Sequence, residues 1–194
     1  MTSRGSRVVG VDEVGRGAWA GPMLIVAVET PEEAPEWWGL ARDSKAADAA
    51  LRRQVHLLAV RDGLRWGEGW VSPAEIDGLG MSAAVRLGIE RALEALRPGA
   101  AEVIVDGVDA YGLDAMPVVR ADALIPEVSL ASMIAKHLRD SAMREVEDRR
   151  CPGYGFARNV GYGTAEHLEA LRRLGPSPAH RLSFRPVREA SRVI

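Results

Sequence analysis

Apolar and polar positions alternate along the chain in short runs that switch between the two-residue period of strands and the 3.6-residue period of helices. Val8, Val9 and Val11 form one apolar run and residues 21–28 a second. Both read as buried strands joined by a glycine-rich turn. Residues 30–39, with two prolines and three acids, read as a loop anchored by Trp37 and Trp38. A helix is expected over 46–61, with Leu51, Val55 and Leu58 on one face and Gly63 closing it. Residues 64–71 follow as a strand whose Trp66 and Trp70 share a face.

Ser72, Pro73 and Glu75 carry the signature of a capped helix start, and residues 81–96 predict a longer helix through Ala84, Leu87, Ile89 and Leu93, ended by Pro98 and Gly99. Residues 101–105 predict a buried strand that delivers Asp106, and residues 116–119 a short strand that precedes Asp122. From Pro126 to about position 149 a helix is expected, with Leu130, Ile134 and Leu138 spaced by four. Strands interleaved with helices give an α/β fold, and no repeat or linker divides the 194 residues, so one domain is expected.

Asp12 and Glu13 stand at the expected end of the first strand, directly ahead of Gly15-Arg16-Gly17. Neighbouring strand side chains point to opposite faces, so only one of these two acids need face a metal directly. Gly15 and Gly17 let backbone N–H groups approach an anion or a sugar, and Arg16 adds a charged fork. Asp12, Glu13, Asp106 and Asp122 all lie at or just beyond strand ends, the usual place for a site in an α/β sheet. Taken singly, each of these acids also has a surface or capping reading. Oxygen ligands without a nearby histidine or cysteine suit Mg2+ or Mn2+ rather than zinc. A pair of such ions would relieve repulsion among the carboxylates and suit in-line displacement at phosphorus.

The formal net charge of −2 argues against indiscriminate adhesion to nucleic acid. The sum hides an asymmetry, because residues 139–194 hold eleven arginines against seven acids. An acidic half joined to a basic tail is a nuclease layout, and ordinary unevenness is the alternative. Only Lys45 and Lys136 are lysines. The lone Cys151 excludes an intrachain disulfide, and neither a signal core nor a membrane span is present, so a cytoplasmic protein is expected.

The segments GVDEVGRGAWAGP at 10–22, DSK at 43–45, VDG at 105–107, ADALIPEVSLASMIAKHLRD at 121–140, GYGT at 161–164 and HRLSF at 180–184 occur in this order across nearly the whole chain. Together they resemble bacterial ribonuclease HII, the type 2 ribonuclease H. The resemblance implies a ribonuclease H-like fold with a mixed five-stranded sheet flanked by helices. Residues 1–140 would form the core and about 141–194 a small helical part that helps hold the duplex. It implies endonucleolytic cleavage of RNA in RNA–DNA hybrids and 5′ of single ribonucleotides in duplex DNA, with two Mg2+ or Mn2+ ions and 3′-hydroxyl and 5′-phosphate products. The cellular work implied is ribonucleotide removal and RNA primer processing, by a monomer that requires no protein partner.

Residue by residue, the resemblance makes Asp12, Glu13, Asp106 and Asp122 the catalytic metal ligands and gives Asp140 a structural role. Gly15, Arg16 and Gly17 would read the ribose 2′-hydroxyl, and Tyr162 would pack on the following sugar from a flexible turn with little bulk around it. Lys45 and Arg181 are expected to contact phosphate. Ser132, Lys136, Arg158 and His180 are further candidates, with a solvated helix face as the alternative for Lys136 and a structural histidine for His180. Val160 replaces a lysine usual ahead of GYG, and Arg158 is placed to supply the lost charge. Ala18 stands where proline is common, and Arg120-Ala121-Asp122 replaces a lysine-glycine-aspartate run. The few residues after HRLSF imply no partner-binding extension. A non-catalytic binding module would share the basic tail but would gain nothing from four acids beside phosphate.

Overall fold

The computed structural model describes residues 7–43 and 47–190. Five strands, β1 (Val8–Val14), β2 (Met23–Glu29), β3 (Trp66–Val71), β4 (Glu102–Asp106) and β5 (Met116–Val118), make one mixed sheet in the order β3-β2-β1-β4-β5. The first three strands run antiparallel, and β4 and β5 continue parallel to β1. The α-helices are α1 (Ala49–Arg61), α2 (Pro73–Leu79), α3 (Met81–Leu96), α4 (Ala121–Leu124), α5 (Pro126–Ala142), α6 (Asp148–Arg150), α7 (Phe156–Asn159), α8 (Ala165–Leu174) and α9 (Arg185–Ala190). This is the α/β sheet with flanking helices that the sequence implied.

β2 is buried at all seven positions because both of its faces are covered, which explains its unbroken apolar run. Leu24, Val26 and Val28 pack toward α1 and α5, while Met23, Ile25 and Ala27 pack toward α2 and α3. Trp66 and Trp70 do share a face of β3, and Glu68 between them accepts both indole N–H groups at 3.2 and 2.9 Å. The capping box at Ser72 is complete, with Glu75 reaching back to the Ser72 N–H at 2.8 Å. Gly10 sets the position of α5. A Cβ there would overlap the backbone of Glu127 and Val128, so its absence lets the helix rest directly on β1.

Some boundaries depart from expectation. The first strand runs through Asp12 and Glu13 to Val14 instead of ending at the acids. The first helix starts at Ala49, where the Asp48 carboxylate accepts the Leu51 N–H at 2.8 Å. The expected loop contains a 3-10 helix over Glu36–Asp43. After α5, one π-helical segment, Met143–Glu147, carries the helical path into α6. Beyond it the short C-terminal helices pack around Tyr154, Phe156, Leu171 and Val187, with Ala20 and Met143 reaching into the same cluster. No helix among the described residues is long and apolar enough to cross a membrane.

Candidate active site

The strand register explains which acids meet. Val9 and Val11 of β1 pack toward α3, so Asp12 points to the opposite face, toward α5, and Glu13 returns to the first. On β4, paired in parallel with β1, Val105 packs toward α3, which puts Asp106 on the face of Asp12. Ser132 of α5 hydrogen-bonds the Asp12 carboxylate, a contact that the close seat of α5 on Gly10 makes possible. Asp122 lies in the first turn of α4 beyond β5, and its N–H approaches Asp106 Oδ1 at 3.4 Å.

The electrostatics are those of crowded carboxylates. Asp12 is 8% exposed, and its carboxyl is pushed up to about 8, first by burial and then by Glu13 and Asp106, against the Ser132 bond. Burial also raises Glu13, while Arg16, 3.3 Å away, pulls the other way. Among the described residues no three carboxylate, imidazole or thiol groups stand at finished metal-ligand spacing. The acids form an open cluster. Their chemistry still fits a hard divalent cation: the donors are all oxygen, they repel one another, and Asp12 is buried with no cationic partner among the described ion pairs.

Beside the acids, two turns lock together. Gly161 O accepts the N–H groups of Trp19 and Ala20 at 2.8 and 3.2 Å. Side chains at Gly161 and Gly163 would overlap Ala20 and Trp19, so the GYG segment lies flush on the chain that follows Arg16. The segment 179–181 pairs antiparallel with 19–21, through Gly21 N–H to Ala179 O and Arg181 N–H to Trp19 O, both at 2.8 Å.

The remaining candidates among the described residues take the following places. Arg16 is exposed, and its Nη1 donates to Glu13 and, at 3.1 Å, to the Tyr111 hydroxyl. Gly17 is exposed with open space where a side chain would go. Lys136 is half-buried, ion-paired to Asp140 at 2.9 Å, with Nζ 5.3 Å from the Tyr162 ring centre. The Tyr162 ring also meets the Arg139 guanidinium and packs on the C-terminal cluster, which corrects the expectation of an unsupported ring. Arg158 is at the surface, paired to Glu166. Lys45 lies outside the described residues.

Arg181 corrects the expectation of a phosphate contact. It is 0% exposed and donates to Gly21 O and Arg16 O, so nothing of it reaches solvent. Arg139, equally buried, donates to Pro22 O, Val160 O and Ala20 O. Tyr111 and Arg139 are the site neighbours that sequence reasoning missed. A charged residue following the small Ala131 and Ala135 at four-residue steps on α5 was the available signal for Arg139.

His180 takes the structural role. It is 2% exposed, and its Nε2 lies 3.0 Å from His167 Nε2. His167 Nδ1 sits 2.9 Å from Tyr162 O, and the Ser177 N–H donates to His180 Nδ1 at 3.0 Å. These contacts are satisfied together when both rings are neutral: His167 donates to the carbonyl, and His180 donates to His167. Burial, then His167, pushes the His180 imidazole down to about 4. The unfolded chain therefore binds more protons between about 6.5 and 4, and stability present above about pH 6.5 is lost as pH falls toward 4. The melting temperature is expected to fall over this window more steeply in the parent than in His180→Asn, and parallel slopes would refute the assignment.

A ribonuclease HII family model matches residues 9–187. The ribonuclease HII of Halorhodospira halophila is 45% identical over 192 residues, covering 96% of this chain and 96% of that one. The solved ribonuclease H2 of Pyrococcus horikoshii OT3 aligns with a TM-score of 0.73 at 26% identity, over 96% of this chain and 97% of that one. Bst-RNase HIII, solved in complex with Mn2+, shares the fold with a TM-score of 0.73 at 18% identity, over 98% of this chain and 71% of that one. With a nearly full-length family match laid over a ribonuclease H-like sheet whose strands β1 and β4 carry Asp12 and Asp106 on one face, the chain belongs to the ribonuclease HII family, divalent-metal-dependent endoribonucleases that cut RNA in RNA–DNA hybrids.

Proposed function

We propose that this enzyme cuts 5′ of single ribonucleotides embedded in duplex DNA as well as within longer hybrids, leaving 3′-hydroxyl and 5′-phosphate ends. The work it serves is ribonucleotide removal and RNA primer processing. The observation that carries the reading is the bonding of Gly161 O to the N–H groups of Trp19 and Ala20, which ties the segment holding Tyr162 to the chain directly after the Gly15-Arg16-Gly17 turn. A junction reader needs this arrangement, because the 2′-hydroxyl and the next sugar must be measured against one scissile phosphate.

Asp12, Glu13, Asp106 and Asp122 are the residues that would hold two Mg2+ or Mn2+ ions. Such ions, when bound, lower the cost of forming the attacking hydroxide and of charge on the leaving oxygen. The chain's own part is positional. Ser132 fixes the Asp12 carboxylate, Arg16 holds Glu13 at the edge of the turn, and Gly15 and Gly17 offer backbone groups to the ribose. Tyr162, held between α5 and the C-terminal cluster, presents its ring to the deoxyribose that follows.

The test offers the protein a duplex with one embedded ribonucleotide, an all-DNA duplex and an RNA–DNA hybrid, each with Mg2+ or Mn2+ and with chelator. Cutting of the all-DNA duplex at equal rate, or full activity in chelator, would refute the reading. Gly17→Ala gives a finer check. The position has no positive φ and open space around it, so alanine fits the fold. The melting temperature is expected to stay unchanged while cleavage at a single ribonucleotide falls by about tenfold, the scale of one lost close contact. Unchanged cleavage would take Gly17 out of ribose recognition.

A further inference from the structure

Two arginines stand behind the reading turns in an arrangement that packing alone does not require. Arg139 and Arg181 are both 0% exposed, and neither forms an ion pair among the described residues. Burying a guanidinium without a contacting carboxylate is costly, and here two lie close enough to oppose each other: burial, then Arg139, lowers Arg181, against a smaller opposing pull from Asp77, while Asp140 acts on Arg139 only from a distance. Every one of their N–H bonds goes to a backbone carbonyl. Arg181 Nη1 donates to Arg16 O at 2.9 Å, and its Nε and Nη2 donate to Gly21 O at 3.1 and 2.9 Å, which closes the turn across residues 16–21. Arg139 continues from there, with Nε to Pro22 O at 2.9 Å, Nη2 to Ala20 O at 3.3 Å and Nη1 to Val160 O at 2.9 Å. Its guanidinium carbon lies 5.3 Å from the Tyr162 ring centre.

The bonds form one path from Arg16 through Arg181, residues 20–22 and Arg139 to Val160 and Tyr162. A planar fork with fixed donor directions holds two carbonyls at a set separation, which a flexible ammonium cannot do. Val160 adds a second sign of imposed geometry. It is β-branched yet sits at φ 42° and ψ 36°, in the left-handed region such residues avoid, with its carbonyl on Arg139. Strain of this kind persists where the surroundings over-determine the backbone.

We infer, on the junction-reading role proposed above for these turns, that Arg139 and Arg181 are positioning residues that fix the distance between the ribose-reading turn and Tyr162. In doing so they set the enzyme's selectivity for a single ribonucleotide. They touch neither substrate nor metal, and they act through Arg16 O and Val160 O. Neutral donors would satisfy the same carbonyls at lower cost, but they would leave the two turns free to shift relative to each other.

The test uses Arg181→Met, Arg181→Lys and Arg139→Lys in the full chain. Three quantities are read: the ratio of cleavage at one embedded ribonucleotide to cleavage of a long hybrid, the cut position at nucleotide resolution, and the melting temperature. The ratio is expected to fall about tenfold in Arg181→Met and by less in the lysine variants, with cuts spread to neighbouring phosphates. A structural prop would lower the melting temperature and both activities together, leaving ratio and cut position unchanged, and that result would overturn the proposal. If Arg181→Met does not fold, the two lysine variants decide by the same criterion. A parent protein that fails to cut at the embedded ribonucleotide overturns the junction reading and the positioning role with it. A parent that cuts there, alongside folded variants of unchanged ratio, overturns the positioning role alone.

Discussion

Asp106→Asn is expected to lower turnover by about a hundredfold or more while leaving duplex binding close to that of the parent. Loss of several kcal/mol of charge stabilisation at the reacting phosphate corresponds to roughly 10²- to 10⁴-fold in rate. Asparagine keeps the shape at the end of β4 and keeps an oxygen for the Asp122 N–H, so the fold has little reason to change. What disappears is one negative charge on the face that β4 shares with Asp12. Turnover in Mg2+ or Mn2+, with affinity measured separately by fluorescence anisotropy, checks this. Near-normal turnover at limiting Mg2+ would remove Asp106 from the ligand set. Asp122→Asn should be milder and recover in part with high Mn2+, because Asp122 stands on a separate short helix beyond β5. Asp140 is a poor substitute for it: the residue is 5% exposed and its carboxylate is already ion-paired to Lys136 at 2.9 Å and Arg144 at 3.7 Å.

Tyr162→Ala carries the second large effect. Stacking of an aromatic ring on nucleic acid is worth about 1–3 kcal/mol, so cleavage at a single embedded ribonucleotide is expected to fall roughly ten- to a hundredfold. Long hybrids should suffer less, since they offer many ribose contacts and do not depend on one junction. The ring also packs on the C-terminal cluster and meets Lys136 and Arg139, so some stability is lost with it. Tyr162→Phe separates the two contributions, because it keeps the ring face and removes only the hydroxyl. Both the ratio of the two cleavage rates and the melting temperature should then stay near the parent values. An unchanged ratio in Tyr162→Ala would defeat the junction role.

The neighbourhood of Asp12 and Asp106 was legible because each follows an apolar run that reads as a buried strand, and the parallel pairing of β1 with β4 puts both on one face, with Glu13 within electrostatic reach of Asp106. The capping box at Ser72 and the helix over 81–96 were legible for the same reason: local chemistry and tertiary packing agree there. Arg181 and Arg139 were not, because the usual fate of an arginine is the surface, and only the carbonyls of residues distant in sequence reveal the burial. Tyr162 was misread in its setting because its glycine neighbours suggest slack. The structure uses those glycines for close contact with Trp19 and Ala20. The 3-10 helix over Glu36–Asp43 escaped a reading by period because its repeat is not that of an α-helix.

The bond from Arg181 to Gly21 O spans 160 positions, and the one to Arg16 O spans 165. During synthesis the sheet and α5, with Asp12, Glu13, Asp106 and Asp122, are therefore available to fold well before the segment that closes the turn across residues 16–21 leaves the ribosome. Contacts this distant in sequence form late, since the loop they close must first lose its freedom. The order of emergence thus separates the two halves of the enzyme in time. A nascent or interrupted chain lacking position 181 would carry Asp12, Glu13, Asp106 and Asp122 without the arginine that closes the turn across residues 16–21. On the positioning role proposed for Arg181, selectivity would be the last property the molecule acquires, and the one most exposed to truncation.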